Sequence, residues 1–296
     1  MTEPPSPSTA AVIDSARLTA RGPRVRWASL PWWAFILVAA ALLVIYLILA
    51  APKYRETFSY LSVGMLVTLR ITLASYSIAT VIGLITGLAR TSKNPVTYTI
   101  ATLYVEAVRG IPLIVLMLYM AFVIVPMVMG GLRAVAAWGL TLGPAGGLAN
   151  FLTQMSQVTS RQVSLEARAV IALGFGYGAY EAEIFRAGIQ SIGRGQMEAA
   201  RSLGMTYPQA MMRVILPQAI RRVLPPLGND FIACLKDSSL ATVLAVNELT
   251  QLGRLRRSST FRVFETFNVL TFLYLSMTLA LSGLVRVLER KMHFEE

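Results

Sequence analysis

The sequence is poor in the residues on which most chemistry is built. There is one cysteine, Cys234, so no intrachain disulfide and no cysteine cage for a metal can form. There is one histidine, His293, near the C-terminal end, which leaves no histidine cluster for zinc and no histidine dyad for acid–base work. The four lysines are Lys53, Lys93, Lys236 and Lys291, and none follows a glycine, so the Gly-Lys-Ser/Thr of a phosphate-binding loop is absent. Charge is scarce as well: 14% of residues are Asp, Glu, Lys or Arg, against about 25% in a soluble domain. These shortages exclude a catalytic metal site, a redox centre and a resident nucleotide-hydrolysing loop.

What is abundant is apolar surface. Hydrophobic residues make up 55% of the chain, and the mean hydropathy is +0.59. A helix needs about 20 apolar residues to cross the hydrocarbon core of a bilayer. Four windows meet that need: 27–52, 57–89 with only Arg70 inside, 110–132 and 266–285. Two weaker ones are 168–186, which closes on Glu181 and Glu183, and 223–246, interrupted by Asn229, Asp230, Lys236 and Asp237. The first window starts too deep and runs too long for a cleaved signal peptide. It reads as a retained membrane helix with Trp27, Trp32 and Trp33 in the interfacial belt. Ahead of it, residues 1–26 carry Pro4, Pro5, Pro7 and four arginines, a disordered cytoplasmic tail by composition.

The net charge of +12 lies mostly beside the spans, where the positive-inside rule explains it better than nucleic acid does. The basic tail, Arg90 with Lys93, a group of five arginines (Arg194, Arg201, Arg213, Arg221, Arg222) and the Arg286, Arg290, Lys291 end all fit six spans with both termini cytoplasmic. Arg254, Arg256, Arg257 and Arg262 then fall outside, as an exception. Residues 134–160 are uncharged but broken by Gly139, Gly143, Pro144, Gly146 and Gly147; they read as an external loop with short helical pieces, or a re-entrant segment. In 174–178 the run GFGYG lies in a span, where glycines serve close helix packing.

The most polar inner stretch after the tail is 188–222. Glu198-Ala199-Ala200-Arg201-Ser202-Leu203 is a helix-forming run that ends at Gly204, a residue suited to the left-handed cap. Thr206 and Gln209 have capping-box spacing with Pro208 in the first turn, and Pro217 ends or kinks the second helix after Leu216. Two short helices with a tight bend result, Glu198, Arg201 and Arg213 on the exposed side, Leu203, Met211, Val214 and Ile215 on the apolar side. Such a pair can be a plain connector lying on the membrane surface. A DNA-reading helix-turn-helix is excluded by its place between spans.

These residues carry a resemblance. Glu198-Ala199-Ala200, Gly204 and Leu216-Pro217 resemble the EAA loop of permease subunits of bacterial ATP-binding-cassette (ABC) importers, with Val214 where that family often has Ile. AYEAEIFRAGIQSI before the loop, VILPQAIRRVLPPLGNDFIACLKDSSLATVLAVNELT after it, STFRVFETF near the last span and YVEAVRGIPLIVL at 104–116 look like the polar-amino-acid branch. The likeness covers most of 57–291. It implies an all-α integral membrane protein with a type I importer permease fold, a five-helix core to which the helix in 27–56 is added, and a tail at 292–296. It further implies a dimer with an identical or similar chain, two ATP-binding subunits on the cytoplasmic face, one of them docked on the EAA loop, and an extracytoplasmic amino-acid-binding protein. No cofactor, metal or catalytic residue is implied, and the location is the bacterial inner membrane. Glu198 would pair with a basic group of the partner or cap a helix end.

Charge inside a span costs about 2.5–3.5 kcal/mol, so Asn229, Asp230, Lys236 and Asp237 must face protein or water. Asn229 and Lys236 are seven apart, as are Asp230 and Asp237, so each pair shares a helical face. Either these faces line the path and meet an amino acid, or Lys236 and Asp230 or Asp237 neutralise one another, or both pairs lie at interfaces. Glu106 and Arg109 have the spacing of a surface ion pair, with a coupling role as the alternative. Arg70 lines the path or snorkels. Rival classes are an ion-gradient-driven secondary transporter or channel, and a membrane enzyme working with carboxylates alone.

Overall fold

The computed structural model describes residues 32–292, and every regular element among them is helical. The basic tail at 1–26, Trp27, and His293 with the rest of the C-terminal tail lie outside the described residues. The chain divides between Tyr46 and Leu47 into two units. The helix α1, Trp32–Ala50, runs through that division; it has 19 residues, none of them charged, and its large side chains such as Phe35, Ile36 and Leu42 are exposed.

The second unit is built around two helices, α2 (Pro52–Ala89) and α6 (Leu165–Gln190). Pro52 stands in the first turn of α2, where its missing N–H costs nothing. Ser164 caps α6, accepting from the Ala167 N–H at 3.1 Å, and Glu166 sits beside the positive helix end. The buried stripe of α2 is made of small residues, Thr68, Thr72, Ser75, Ala79, Gly83 and Gly87, and it meets Gly174, Gly178 and Ala182 of α6. A Cβ added at Gly174 would stand 2.8 Å from Ile78. Small residues are what let membrane helices approach this closely.

Against this pair pack α3 (Pro95–Arg109), α4 (Leu113–Thr141), α9 (Leu216–Asp237) and α11 (Val263–Met292). One core joins Ile71, Leu116, Met117, Leu173 and Tyr177; a second joins Leu61, Leu235, Leu249, Val269 and Leu273, including α10 (Leu249–Thr260). Among the described residues three helices, α2, α4 and Val263–Arg290 of α11, are long and apolar enough to cross a membrane. Their outer sides carry exposed Leu66, Leu73, Ile85, Phe122 and Leu288, suited to lipid. The two weaker windows, α6 and α9, are long helices too; α6 can carry polar residues because its neighbours, not lipid, surround it.

Residues 134–160 contain the helical pieces expected of them, in a regular arrangement: α4 continues to Thr141, turns through Gly143 and Gly146 at φ +67° and +65°, and returns as α5 (Gly147–Gln157). A glycine inside a helix costs only about 1 kcal/mol, and Gly139 opens the space into which Leu152 of α5 fits. Arg168 ties this hairpin down. Its buried guanidinium donates to the carbonyls of Ala121 (2.9 Å), Val163 (3.1 Å) and Ser160. Ala121 lies in a π turn of α4, Met120–Ile124.

Of the two outcomes expected at Pro217, a stop or a distortion, the helix shows the second. From α8 (Tyr207–Ala210) the helix runs through a π turn, Met211–Ile215, into α9 and on to Asp237. A proline lacks an N–H and its ring crowds the carbonyl four residues earlier; the widened turn ahead of Pro217 relieves both. Pro225 and Pro226 lie inside α9.

Candidate functional site

The polar module expected at 188–222 is made by α7 (Arg194–Ser202) and the start of α8. Gly204 adopts φ +83°, and a Schellman pair closes α7, the Met205 N–H donating to Ala200 O at 3.2 Å and the Gly204 N–H to Arg201 O at 3.0 Å. The capping box forms: the Gln209 N–H donates to Thr206 Oγ1, and the Thr206 N–H to Gln209 Oε1 at 2.9 Å. Ala200, Ala210, Ile215 and Ala219 are buried, which fixes the module to the bundle, while Glu198, Ala199, Gly204 and Pro217 are exposed and Leu216 is half-buried.

Leu203 does not lie on the apolar inner side. It is 81% exposed and forms, with Tyr207 and Met212, the apolar part of the module's outer surface. Helical phase stops at Ser202, and the turn at Gly204 carries Leu203 outward.

On α9 the two polar faces separate. Asn229 and Lys236 are exposed, and Asp230 and Asp237 turn toward the bundle. Tyr177 donates to Asp237 Oδ2 at 2.8 Å, and Tyr76 donates to the Leu227 carbonyl at 2.6 Å. Among the described residues no ion pair joins Lys236 to either aspartate, so mutual neutralisation does not account for them. Asp230 Oδ2 is buried with no partner. Glu181, in the sequence only an acid closing a weak apolar window, also turns inward. It is wholly buried in α6 against Gly83, and neither carboxyl oxygen has a hydrogen bond. Buried polar groups without partners are rare enough to need a reason.

Glu106 and Arg109 do not pair with each other. The hub is Glu183, which takes Arg90, Arg186 at 2.7 Å and Arg109 at 3.4 Å, while Glu106 reaches Arg90 at 3.5 Å. Arg90 is nearly buried, so it draws Glu106 more strongly than exposed Arg109 does. Arg109 also stacks over the Tyr180 ring at 5.5 Å. At the opposite end, Arg262 (2.7 Å) and Arg256 (3.3 Å) converge on Glu56. Arg70 stays largely exposed and makes a two-bond fork to Glu166 at 2.7 and 2.9 Å. Among the described residues no cluster of three metal-ligating side chains occurs.

An all-helical, multi-pass bundle with an exposed two-helix module at one end and acids turned into the bundle defines a membrane transport subunit. The chain belongs to the family described as the binding-protein-dependent transport system inner membrane component, matched over residues 79–294. Glutamine transport system permease protein GlnP of Escherichia coli is 34% identical over 229 residues, 77% of this chain and 91% of that one. L-cystine transport system permease protein TcyB of Bacillus subtilis is 34% identical over 233 residues, 78% of this chain and 86% of that one. Among solved structures, the crystal structure of an amino acid ABC transporter with histidines matches with a TM-score of 0.63 at 34% identity, covering 82% of this chain and 97% of that chain. The protein is a permease subunit of the ABC importer class, a multi-pass inner-membrane component of systems that work with ATPase subunits and binding proteins.

Proposed function

We propose that the chain forms half of a permease dimer that admits a polar amino acid, with α7 and the bend at Gly204 as its contact with one of two separate ATP-hydrolysing subunits. The observation that carries this reading is the outer surface of the module: Glu198 and Arg201 for charge, Leu203, Tyr207 and Met212 for apolar contact, all exposed on a braced turn. Aromatic, Met and Arg residues of this kind supply most binding energy at interfaces. In this reading the module and both chain ends are cytoplasmic, and the end bearing Glu56 and Arg262 receives the binding protein. The relatives named for glutamine and L-cystine support an amino-acid cargo. Asp230 and Asp237, with Asn229 and Lys236 on the exposed face of α9, are the proposed path-lining groups.

The test is co-expression with the ATPase subunits, capture of the complex, and ATPase and uptake assays. Glu198→Lys and Gly204→Asp should each weaken stimulated ATPase at least fivefold while the membrane domain remains folded. Full coupling in both would refute the docking site. Alanine at Asp230 and Asp237 with undiminished uptake would refute their part in the path.

A further inference from the structure

The exposed residues of α9 fall in one stripe. Arg222, Pro226, Asn229 and Lys236, with half-buried Ala233 between the last two, are spaced four, three, four and three apart. On an ideal helix they lie within about 80° of arc, so a single face carries them. That face is basic. Its cations are Arg222 and Lys236, and it holds no acid, because Asp230 and Asp237 turn toward the bundle, where Tyr177 donates to Asp237. Among the described residues no ion pair holds Lys236 or Arg222; the Arg222 guanidinium is positioned by the Ser191 carbonyl, which leaves its charge unneutralised.

Toward the end that carries α7 the stripe borders an open cavity of about 520 Å³, bounded also by Arg109 and Ala187. The acid in its wall, Glu183, is already taken by Arg90, Arg109 and Arg186. An unneutralised cation on a membrane helix is costly toward lipid and so faces water or an anion. Arg and Lys lining a pore favour anions, as Asp and Glu favour cations.

We infer that this face selects cargo by negative charge: it grips an amino acid through carboxylate, admits dicarboxylic amino acids and refuses dibasic ones. This selection rests on the reading of the exposed face of α9 as a wall of the path, and it adds the sign of the field there. Asn229 stands midway, seven residues from each cation, a rise of about 10 Å. Its amide can donate to the carboxylate that both cations attract.

The test places a reporter at that midpoint. Cys234, the chain's one cysteine, is buried, so the wild type is the blank and Asn229→Cys adds one thiol on the stripe. The full chain, with its ATPase subunits in phosphatidylcholine nanodiscs, is treated at low salt with methanethiosulfonates of similar size that carry either a sulfonate or a trimethylammonium group. One cation at about 10 Å in water favours the anionic reagent about fourfold, so Arg222 and Lys236 together predict about sixteenfold. Lys236→Gln should cut the ratio to about fourfold, and adding Arg222→Gln should bring it to about one. Lys236→Arg should keep it, which separates loss of charge from loss of fold. Glutamate should slow the labelling, and lysine at the same ionic strength should not. A wild-type ratio near one or in favour of the cationic reagent, an unchanged ratio in the double variant, or protection by lysine equal to that by glutamate would overturn the inference and leave the path reading in place. Asn229→Cys as unreactive as Leu66→Cys on the lipid side of α2 would instead refute the path, and the inference with it.

Discussion

Replacing Gly64 by alanine tests whether α2 and α10 touch backbone to backbone. A Cβ at Gly64 would lie 2.7 Å from Leu249 Cα and 2.9 Å from Leu249 N. Carbon atoms rest about 3.5–4.0 Å apart, so the helices must separate by about 1 Å. Overpacking of this kind costs about 1–3 kcal/mol. The same movement stretches the bond from the Leu249 N–H to Thr68 Oγ1, now 3.2 Å, which adds about 1 kcal/mol. Alanine in a helix returns about 1 kcal/mol over glycine, a gain that Gly130→Ala also receives in a position with nothing within 4 Å. The difference between the two variants therefore isolates the clash at about 2–4 kcal/mol, or roughly 4–16 °C in melting temperature for a domain of this size. Cys234 is the chain's one cysteine and is fully buried, so a thiol-reactive dye reports unfolding without engineering. Melting of Gly64→Ala within about 1 °C of Gly130→Ala would refute the close packing.

Arg168→Gln removes a buried guanidinium that serves three carbonyls, and charged hydrogen bonds are worth about 1.5–3 kcal/mol each. The variant should melt at least about 5 °C lower, and protease should cut first between α4 and α6; wild-type melting would refute the tie. By contrast Glu166→Gln breaks an exposed fork to Arg70, so it should cost under about 1 kcal/mol and its effect should shrink in high salt.

The spans on α2, α4 and α11 were legible because lipid demands an unbroken apolar run. The bend at Gly204 and its caps were legible because capping is local chemistry, decided within five residues. What could not be read was decided across the bundle. Gly139 looks like a helix breaker until Leu152 is seen packed over it, and Pro217 looks like a stop until the π turn ahead of it appears. Glu106 and Arg109 match a sequential pair, yet Arg90 and Glu183, distant in sequence, claim them. Glu181 gave no signal of its own beyond an acid in a greasy window. Its burial depends on Gly83 of α2 lying against it, which no local pattern announces.

The unbroken course from Tyr207 to Asp237 turns the module and the polar face of α9 into one lever. At 1.5 Å per residue α9 alone is about 33 Å long, close to the thickness of the hydrocarbon core. A joint between two short helices would dissipate a push at the surface; a single rod hands it to Asp230 and Asp237 as rotation or translation. The wide turn at Met211–Ile215 and the two prolines inside α9, Pro225 and Pro226, are the places where that rod can bend.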